Sequence, residues 1–155
     1  MTSAIGTGSV TTNTEANKEL VRTYTQTVFN EHRTDRAPEF FAPDVKWHGG
    51  TLGTVEGAAN VAALVGGFIA ALPDLTASEQ GIVAEGDTVA VRYVVEATQT
   101  GDLLGIPATG RRIRWDAVGV YRLSNGKIVE EWAADDLLAV LFGLGVYTPP
   151  WLAGR

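Results

Sequence analysis

The 155-residue chain contains no cysteine, and this absence excludes several kinds of chemistry. The protein forms no disulfide bond, has no thiolate nucleophile and offers no cysteine ligand to a metal ion or an iron–sulfur cluster. Proteins without disulfides are typical of reducing compartments, so the composition agrees with a cytoplasmic location.

Long apolar runs are also absent. The chain has no stretch of about eighteen apolar residues that would cross a bilayer. Its first residues, MTSAIGTGSVTTN, lack a basic segment followed by an apolar block, so we predict no secretory signal. We therefore expect a cytoplasmic protein without a membrane partner.

Positive charge is scarce. Lys and Arg total 12 against 18 Asp and Glu, and the formal net charge of −6 would repel a nucleic-acid backbone. The basic cluster of Arg111, Arg112 and Arg114 is too small to indicate DNA binding and is typical of solvated charges at a sheet edge. We predict no nucleic-acid partner.

The residues that are present are typical of a globular domain. Apolar residues make up 45% of the chain and charged residues 19%, and the length suits one domain with a single core. Residues 1–13 are small and polar without periodicity, so we predict a flexible tail followed by one domain over residues 14–155.

Three helices are predicted in the first half of the chain. Apolar residues spaced three and four apart indicate a helix over 14–30, and a short helix with Pro38 near its first turn covers 34–41. The third covers 57–72, GAANVAALVGGFIAAL. Because it is apolar almost all round and carries no charge, we expect it to be buried on more than one side.

Strands dominate the second half. We predict five strands, at 45–49, 75–84, 88–100, 113–123 and 127–134. Asn125-Gly126 is a strong hairpin signal between the last two, and a short helix over 137–144 follows. Because helices and strands are segregated along the chain, the expected fold class is α+β.

Two adjacent carboxylates end the last predicted strand. Strict alternation places Asp136 on the face of Trp132 and places Asp135 on the opposite face. A carboxyl beside an indole in an apolar pocket becomes a plausible proton carrier, while an Asp before an apolar run also suits a helix cap. Both could instead be surface or capping residues, and one residue of register slip would exchange them.

Three other polar residues lie on predicted strands, and each of these residues has two interpretations. Arg92 and Asp116 are either solvated strand charges or inward groups that need partners. His48 is either a hydrogen-bonded packing residue or a catalyst. Histidine pairs at metal-binding spacing, a nucleophile elbow and a phosphate loop are all absent, so we predict no metal and no cofactor.

The segments FFAPDVKWHG, TGDLLGIPATGRRI and GVYRLSNGKIVEEWAADDLLAVLFGLG together resemble the SnoaL-like polyketide cyclase family over about residues 15–150. That family belongs to the superfamily of nuclear transport factor 2, ketosteroid isomerase and limonene-epoxide hydrolase. The resemblance implies a cone in which a curved antiparallel or mixed sheet wraps around three N-terminal helices, with a short C-terminal helix and a deep pocket at the open end.

The resemblance also implies a chemistry without metal or cofactor. Asp136 would be the general acid and base of an aldol ring closure in an aromatic polyketide, with His48, Arg92 and Asp116 polarising carbonyl groups. The substrate would lie between the third helix and the concave sheet face. Five aromatic residues are the expected substrate contacts: Trp132, Trp47, Tyr24, Phe68 and Trp115.

Other activities of the same fold remain open at this point. Some SnoaL-like proteins of anthracycline pathways take part in hydroxylation alongside a reductase, and the TPPWL tail resembles that branch. The epoxide-hydrolase branch would have Asp two residues after Arg92, where this chain has Val94. A non-catalytic binding domain is the third alternative, which a pocket without an inward carboxylate, or solvated Asp136, Asp116 and Arg92, would favour.

We also expect a homo-oligomer, either a dimer or a tetramer. Val89, Val91, Tyr93 and Val95 share one face of a strand, and an apolar convex face of the sheet would need cover.

Overall fold

The computed structural model describes residues 9–155, so residues 1–8 of the predicted tail lie outside the described part of the chain. The first helix, α1, covers Ser9–Tyr24 and begins earlier than the predicted residue 14. It continues as a π-helix over Thr25–Asn30 and ends where the periodicity predicted. Widened turns of this kind are frequent at functional sites, and this one carries the buried Thr25.

Three further helices agree closely with the predicted ranges, whereas the short 3₁₀ helices Gly50–Leu52 and Pro150–Leu152 were not predicted. A 3₁₀ helix covers Thr34–Phe40, α2 covers Ala58–Ala71, and α3 covers Leu137–Gly143. The expected burial of α2 on more than one side is wrong, because its buried stripe of Val61, Val65 and Ile69 faces the core while small residues such as Ala63 are exposed. Within residues 9–155, none of the helices has both the length and the apolar content needed to cross a membrane.

Six strands form one curved mixed sheet. They are β1 (Phe41–His48), β2 (Thr54–Glu56), β3 (Thr76–Glu85), β4 (Thr88–Thr98), β5 (Arg112–Ser124) and β6 (Lys127–Asp135). Their order is β2-β1-β6-β5-β4-β3; β1 and β6 are parallel and the other pairs are antiparallel. The α+β class and the sheet around N-terminal helices are as the resemblance implied, while the three-residue β2 was missed.

The helices cover the concave face of the sheet. Val89, Val91, Tyr93 and Val95 lie on that face and are buried in the core, so the prediction that they form an exposed convex surface is wrong. Alternation separates the two faces of a strand but does not say which one is covered. The other face of β4 includes the exposed Arg92, so the helices pack on the apolar side. The expected homo-oligomer loses this basis and stays a prediction.

A β-bulge interrupts β6 at Val129. In the pairing of β5 with β6, Leu123 lies opposite Ile128 but Arg122 lies opposite Glu130, so Val129 has no partner. The extra residue reverses the alternation. Ile128 and Glu131 therefore both face the core and are buried, whereas Trp132 is exposed.

The assignment of faces can be tested with the same substitution on each side of the sheet. Val89 is fully buried and Val83 is 66% exposed. Val89→Ala should lower the free energy of unfolding by about 2 kcal/mol, because it removes two buried methyl groups and leaves a cavity. Val83→Ala should change it by less than about 0.5 kcal/mol. Urea unfolding of both variants measures the difference, and equal effects would contradict the assignment.

Candidate active site

An apolar cavity of about 990 Å³, counting its open mouth, lies between the helices and the concave face of the sheet. Small residues on the inner face of β5 and β6, namely Ala117, Gly119 and Ala133, leave the space for it. Larger side chains surround the cavity. They include Phe29, Trp47, Val65, Phe68, Leu72, Tyr93, Val95, Leu103, Trp115, Tyr121 and Val140.

Two carboxyl groups of β6 line the cavity. Glu131 and Asp135 lie on the same face of the strand, four residues apart, which places their Cα atoms roughly 13 Å from each other. Glu131 is 6% exposed, whereas Asp135 ends the strand at the mouth and is exposed. The cavity thus has one deeply buried carboxyl and one at its entrance.

Asp135 is held by an indole. Ala117 of β5 pairs with Asp135, and Trp115 stands two residues away on the same face. From there Trp115 Nε1 donates a hydrogen bond of 2.7 Å to Asp135 Oδ1. Desolvation raises the pKa of Asp135, and the Trp115 hydrogen bond limits that rise because it favours the charged form. Asp135 is thereby a stronger base than an ordinary surface aspartate.

Glu131 lies between two aromatic neighbours. Across the sheet it pairs with Trp47 of β1 on one side and with Tyr121 of β5 on the other. Burial raises the pKa of Glu131 to about 8, the negative charge of Asp135 adds to the rise, and a hydrogen bond with Tyr121 opposes it. Glu131 is therefore mainly an uncharged carboxylic acid at pH 7.

Hydroxyl groups extend from Glu131 toward the π-helix. Thr25 Oγ1 and the Tyr93 hydroxyl share a hydrogen bond of 2.8 Å, and the phenol of Tyr121 lies near that of Tyr93. Burial raises the pKa of Tyr93 to about 12, and the pKa of Tyr121 also rises for the same reason. Both phenols stay protonated at neutral pH, so this side of the cavity is a set of neutral hydrogen-bonding groups.

Four of the five predicted aromatic contacts lie in or beside the cavity. Trp47, Phe68 and Trp115 line it. Tyr24 is fully buried behind the wall, where its ring packs against Phe40 and other aromatic rings. Its hydroxyl has no hydrogen-bond partner among the described residues.

Asp136 and Trp132 do not line this cavity. Asp136 precedes α3, and its Oδ1 accepts a hydrogen bond of 3.1 Å from the Ala139 backbone N–H, so it is the helix N-cap. Trp132 is on the outer face and 41% exposed. The predicted faces of Asp135 and Asp136 are thus exchanged, because strict alternation from Ile128 takes no account of the bulge at Val129.

The other predicted catalytic residues lie on the outer side of the sheet. Arg92 and Asp116 are exposed and point away from the cavity. His48 Nε2 donates a hydrogen bond of 2.7 Å to Glu130 Oε2, its Nδ1 shares one of 3.0 Å with Thr54 Oγ1, and its ring stacks on Trp132. The structure therefore does not bring these groups together with the cavity-lining carboxyls.

The sequence interpretation did not name Glu131, Tyr93 or Tyr121 as cavity residues. Alternation placed Asp135 on the face opposite Asp136, and a register slip that would exchange the two was left open. The signal for the correct register is Ile128, an apolar residue at the start of the strand. Residues 128 and 131 lie on opposite faces of a regular strand, so Ile128 and Glu131 both face the core only if a bulge lies between them. Within residues 9–155, no group of three or more His, Asp or Glu side chains is arranged to hold a metal ion.

Comparison with protein families gives one match over most of the chain. The model of the SnoaL-like polyketide cyclase family matches residues 19–143. No curated protein matches the sequence.

Solved structures give further similarity. AclR from Streptomyces galilaeus, a candidate hydroxylase, is 29% identical, with a TM-score of 0.77 over 87% of this chain and 99% of its own. IdmH from Streptomyces antibioticus, a candidate polyketide cyclase, is 30% identical, with a TM-score of 0.71 over 84% and 99%. A SnoaL-like protein from Jannaschia sp. CCS1 is 23% identical and shows the same fold, with a TM-score of 0.80 over 95% and 100%.

The raised pKa of Glu131 makes stability depend on pH. Between about pH 4.5, its ordinary pKa, and about pH 8, the folded protein holds a proton that the unfolded chain releases. The stabilisation is complete below pH 4.5 and is lost as the pH rises through 8, so the free energy of unfolding should fall by a few kcal/mol across this window. Urea unfolding at several pH values measures it.

Glu131→Gln should remove most of this decline, since the amide does not titrate, and should leave the part that comes from Asp135, whose pKa is also raised. Glu85, exposed at the end of β3, provides the same substitution away from the cavity. Glu85→Gln should leave the pH dependence unchanged. An undiminished decline up to pH 8 in Glu131→Gln would contradict the assignment of the buried proton to Glu131.

The hydrogen bond between Trp115 and Asp135 predicts how the pKa of Asp135 responds to a substitution. Trp115→Phe removes the indole N–H, so the pKa of Asp135 should rise further. Carboxyl ¹³C chemical shifts followed through a pH titration measure this change. Trp132→Phe, the same substitution on the outer face, should not alter the pKa of Asp135; equal shifts in both variants would show that the hydrogen bond is not the cause.

Proposed function

The chain belongs to the SnoaL-like polyketide cyclase family, and from that premise we propose that it is an enzyme that closes a ring in an aromatic polyketide by acid–base chemistry. The observation that supports the proposal most strongly is the Asp135 carboxylate, which stands at the mouth of an apolar cavity with a raised pKa and a fixed orientation on Trp115. A positioned base of this kind is what abstraction of a proton next to a carbonyl group requires.

The proposed reaction is an intramolecular aldol addition. Asp135 removes a proton from a carbon between two carbonyl groups, and the resulting enolate attacks a second carbonyl carbon of the same molecule. A carbon–carbon bond forms, the carbonyl π bond breaks, and the alkoxide takes up a proton, which can be the one that Asp135 received. Atoms and electrons balance without an oxidant, and the product is an isomer of the substrate.

The cavity suits a flat and largely apolar substrate. Its walls include Trp47, Phe68 and Trp115, and aromatic side chains stack well on planar rings. Residues that line the mouth, such as Leu104 and Leu137, extend the apolar surface toward solvent.

A hydroxylase is the second candidate, which the 29% identity to AclR favours. That reaction would insert one atom of dioxygen, with the other reduced to water by two electrons from a reductase partner. A non-catalytic binding domain is less well supported. Asp136, Asp116 and Arg92 are indeed exposed, but the cavity contains the carboxyls of Glu131 and Asp135.

The neighbouring aspartates provide a matched test of the proposal. With an aromatic polyketide that has a 1,3-dicarbonyl side chain as substrate, Asp135→Asn should lower turnover by about 100-fold or more, because the base is removed. Asp136→Asn should keep most of it, since the side chain only caps α3. Liquid chromatography with mass detection follows the reaction.

The mass of the product separates the two reactions. Ring closure without loss of water leaves the mass unchanged, and hydroxylation adds one oxygen atom and stops without dioxygen and a reductase. Full turnover in a folded Asp135→Asn variant would remove Asp135 from the proposed role.

A further inference from the structure

The deep carboxyl of the cavity has an oxygen without a partner. Among the described residues that line the cavity, only Glu131 has a buried side-chain oxygen, Oε2, that makes no hydrogen bond. A buried polar atom left unpaired costs free energy, and such exceptions occur where a ligand or an ordered water completes the bonding. Glu131 therefore indicates a binding position that the protein itself does not fill.

The surroundings of Glu131 add to this indication. Thr25 and Tyr93 share a hydrogen bond, and the phenols of Tyr93 and Tyr121 lie near the carboxyl that carries the unpaired oxygen. Polar groups placed together in a buried site polarise one another and strengthen a terminal donor. The group at the end is thus well prepared to donate to an acceptor in the cavity.

We propose that the deep end of the cavity binds one carbonyl or phenolic oxygen of the ligand, with Glu131 as the hydrogen-bond donor and specificity-determining residue. The inference rests on the proposed function only for the class of ligand, a planar aromatic ketone. It assigns to Glu131 a recognition role that is separate from the proton abstraction at Asp135.

The charge of the site favours an acceptor oxygen over other groups. Glu131 is mostly protonated at pH 7 because burial raises its pKa to about 8, so it can donate through its O–H. Of the described cavity-lining residues, none is Lys, Arg or His, so nothing would balance a fully charged carboxylate on the ligand. A neutral carbonyl avoids that cost and accepts the hydrogen bond.

The two carboxyls also define an orientation. Glu131 is buried while Asp135 is exposed, and their Cα atoms stand roughly 13 Å apart along β6. A ligand anchored by its oxygen at Glu131 would lie along the aromatic walls toward the mouth. Its opposite end would then meet Asp135.

Binding of 9-fluorenone and of fluorene tests the inference. The two tricyclic compounds are similar in shape and differ in one carbonyl group. The protein should bind fluorenone roughly three- to tenfold more tightly, the usual effect of one neutral hydrogen bond. Quenching of tryptophan fluorescence measures both affinities, and infrared spectroscopy should show a lowered carbonyl stretching frequency for bound fluorenone.

Substitutions of Glu131 separate hydrogen bonding from packing. Glu131→Gln keeps a neutral donor and should keep both the preference and the frequency shift. Glu131→Leu has a similar volume without a donor and should lose both while still binding fluorene. Near-ultraviolet circular dichroism checks that each variant is folded.

The pH gives an independent readout in the unaltered protein. The frequency shift should fade above about pH 8 as Glu131 ionises, whereas it should persist in Glu131→Gln. No binding of either compound, no preference for fluorenone, or a preference retained in Glu131→Leu would each overturn the inference.

The experiments distinguish a failure of this inference from a failure of the proposed function. Asp135→Asn should abolish turnover and yet keep the preference for fluorenone, because Glu131 is intact. If turnover survives in Asp135→Asn while the fluorenone results hold, the function fails and the recognition site stands. If the fluorenone results fail while turnover still needs Asp135, the recognition site at Glu131 fails and the proposed function stands.

Discussion

One unpaired residue in the last strand determines what the cavity contains. The bulge at Val129 allows Ile128 to enter the core and still directs Glu131 and Asp135 inward, which strict alternation forbids. It also leaves Asp136 just beyond the strand, where it caps α3. Without the bulge either Ile128 or the two carboxyls would face solvent, so core packing and the site both depend on it.

The two carboxyls differ because their surroundings differ. Asp135 stands at the mouth with an indole N–H on its carboxylate, and Glu131 is buried among aromatic rings near a second negative group. Environments that separate the pKa values of a carboxyl pair favour a division of roles, with one group as base and the other as neutral donor. The fold creates this separation with residues of one strand.

The cavity is a local exception to close packing. Ala117, Gly119 and Ala133 are small where the rest of the inner face is large, and an added Cβ at Gly119 would lie only 2.7 Å from the Tyr121 ring. Gly119 thus makes room for the Tyr121 ring beside Glu131, while Ala117 and Ala133 leave space for a ligand. A buried acid, an unpaired oxygen and missing side-chain volume each weaken the folded state, and such departures from good packing concentrate at functional sites.

The sequence by itself determined the helices at 14–30, 34–41 and 57–72, the main strands, the Asn125-Gly126 hairpin and the α+β class, because periodicity and turn chemistry are local properties. The family resemblance added the wrapped sheet and drew attention to the segment after Trp132. Only the tertiary structure decided that Asp135 and not Asp136 enters the cavity, and that Val89 and Tyr93 are inside. A bulge is defined by the pairing of two strands, and a buried face is defined by the elements that pack on it. The spacing of apolar residues in one strand determines neither.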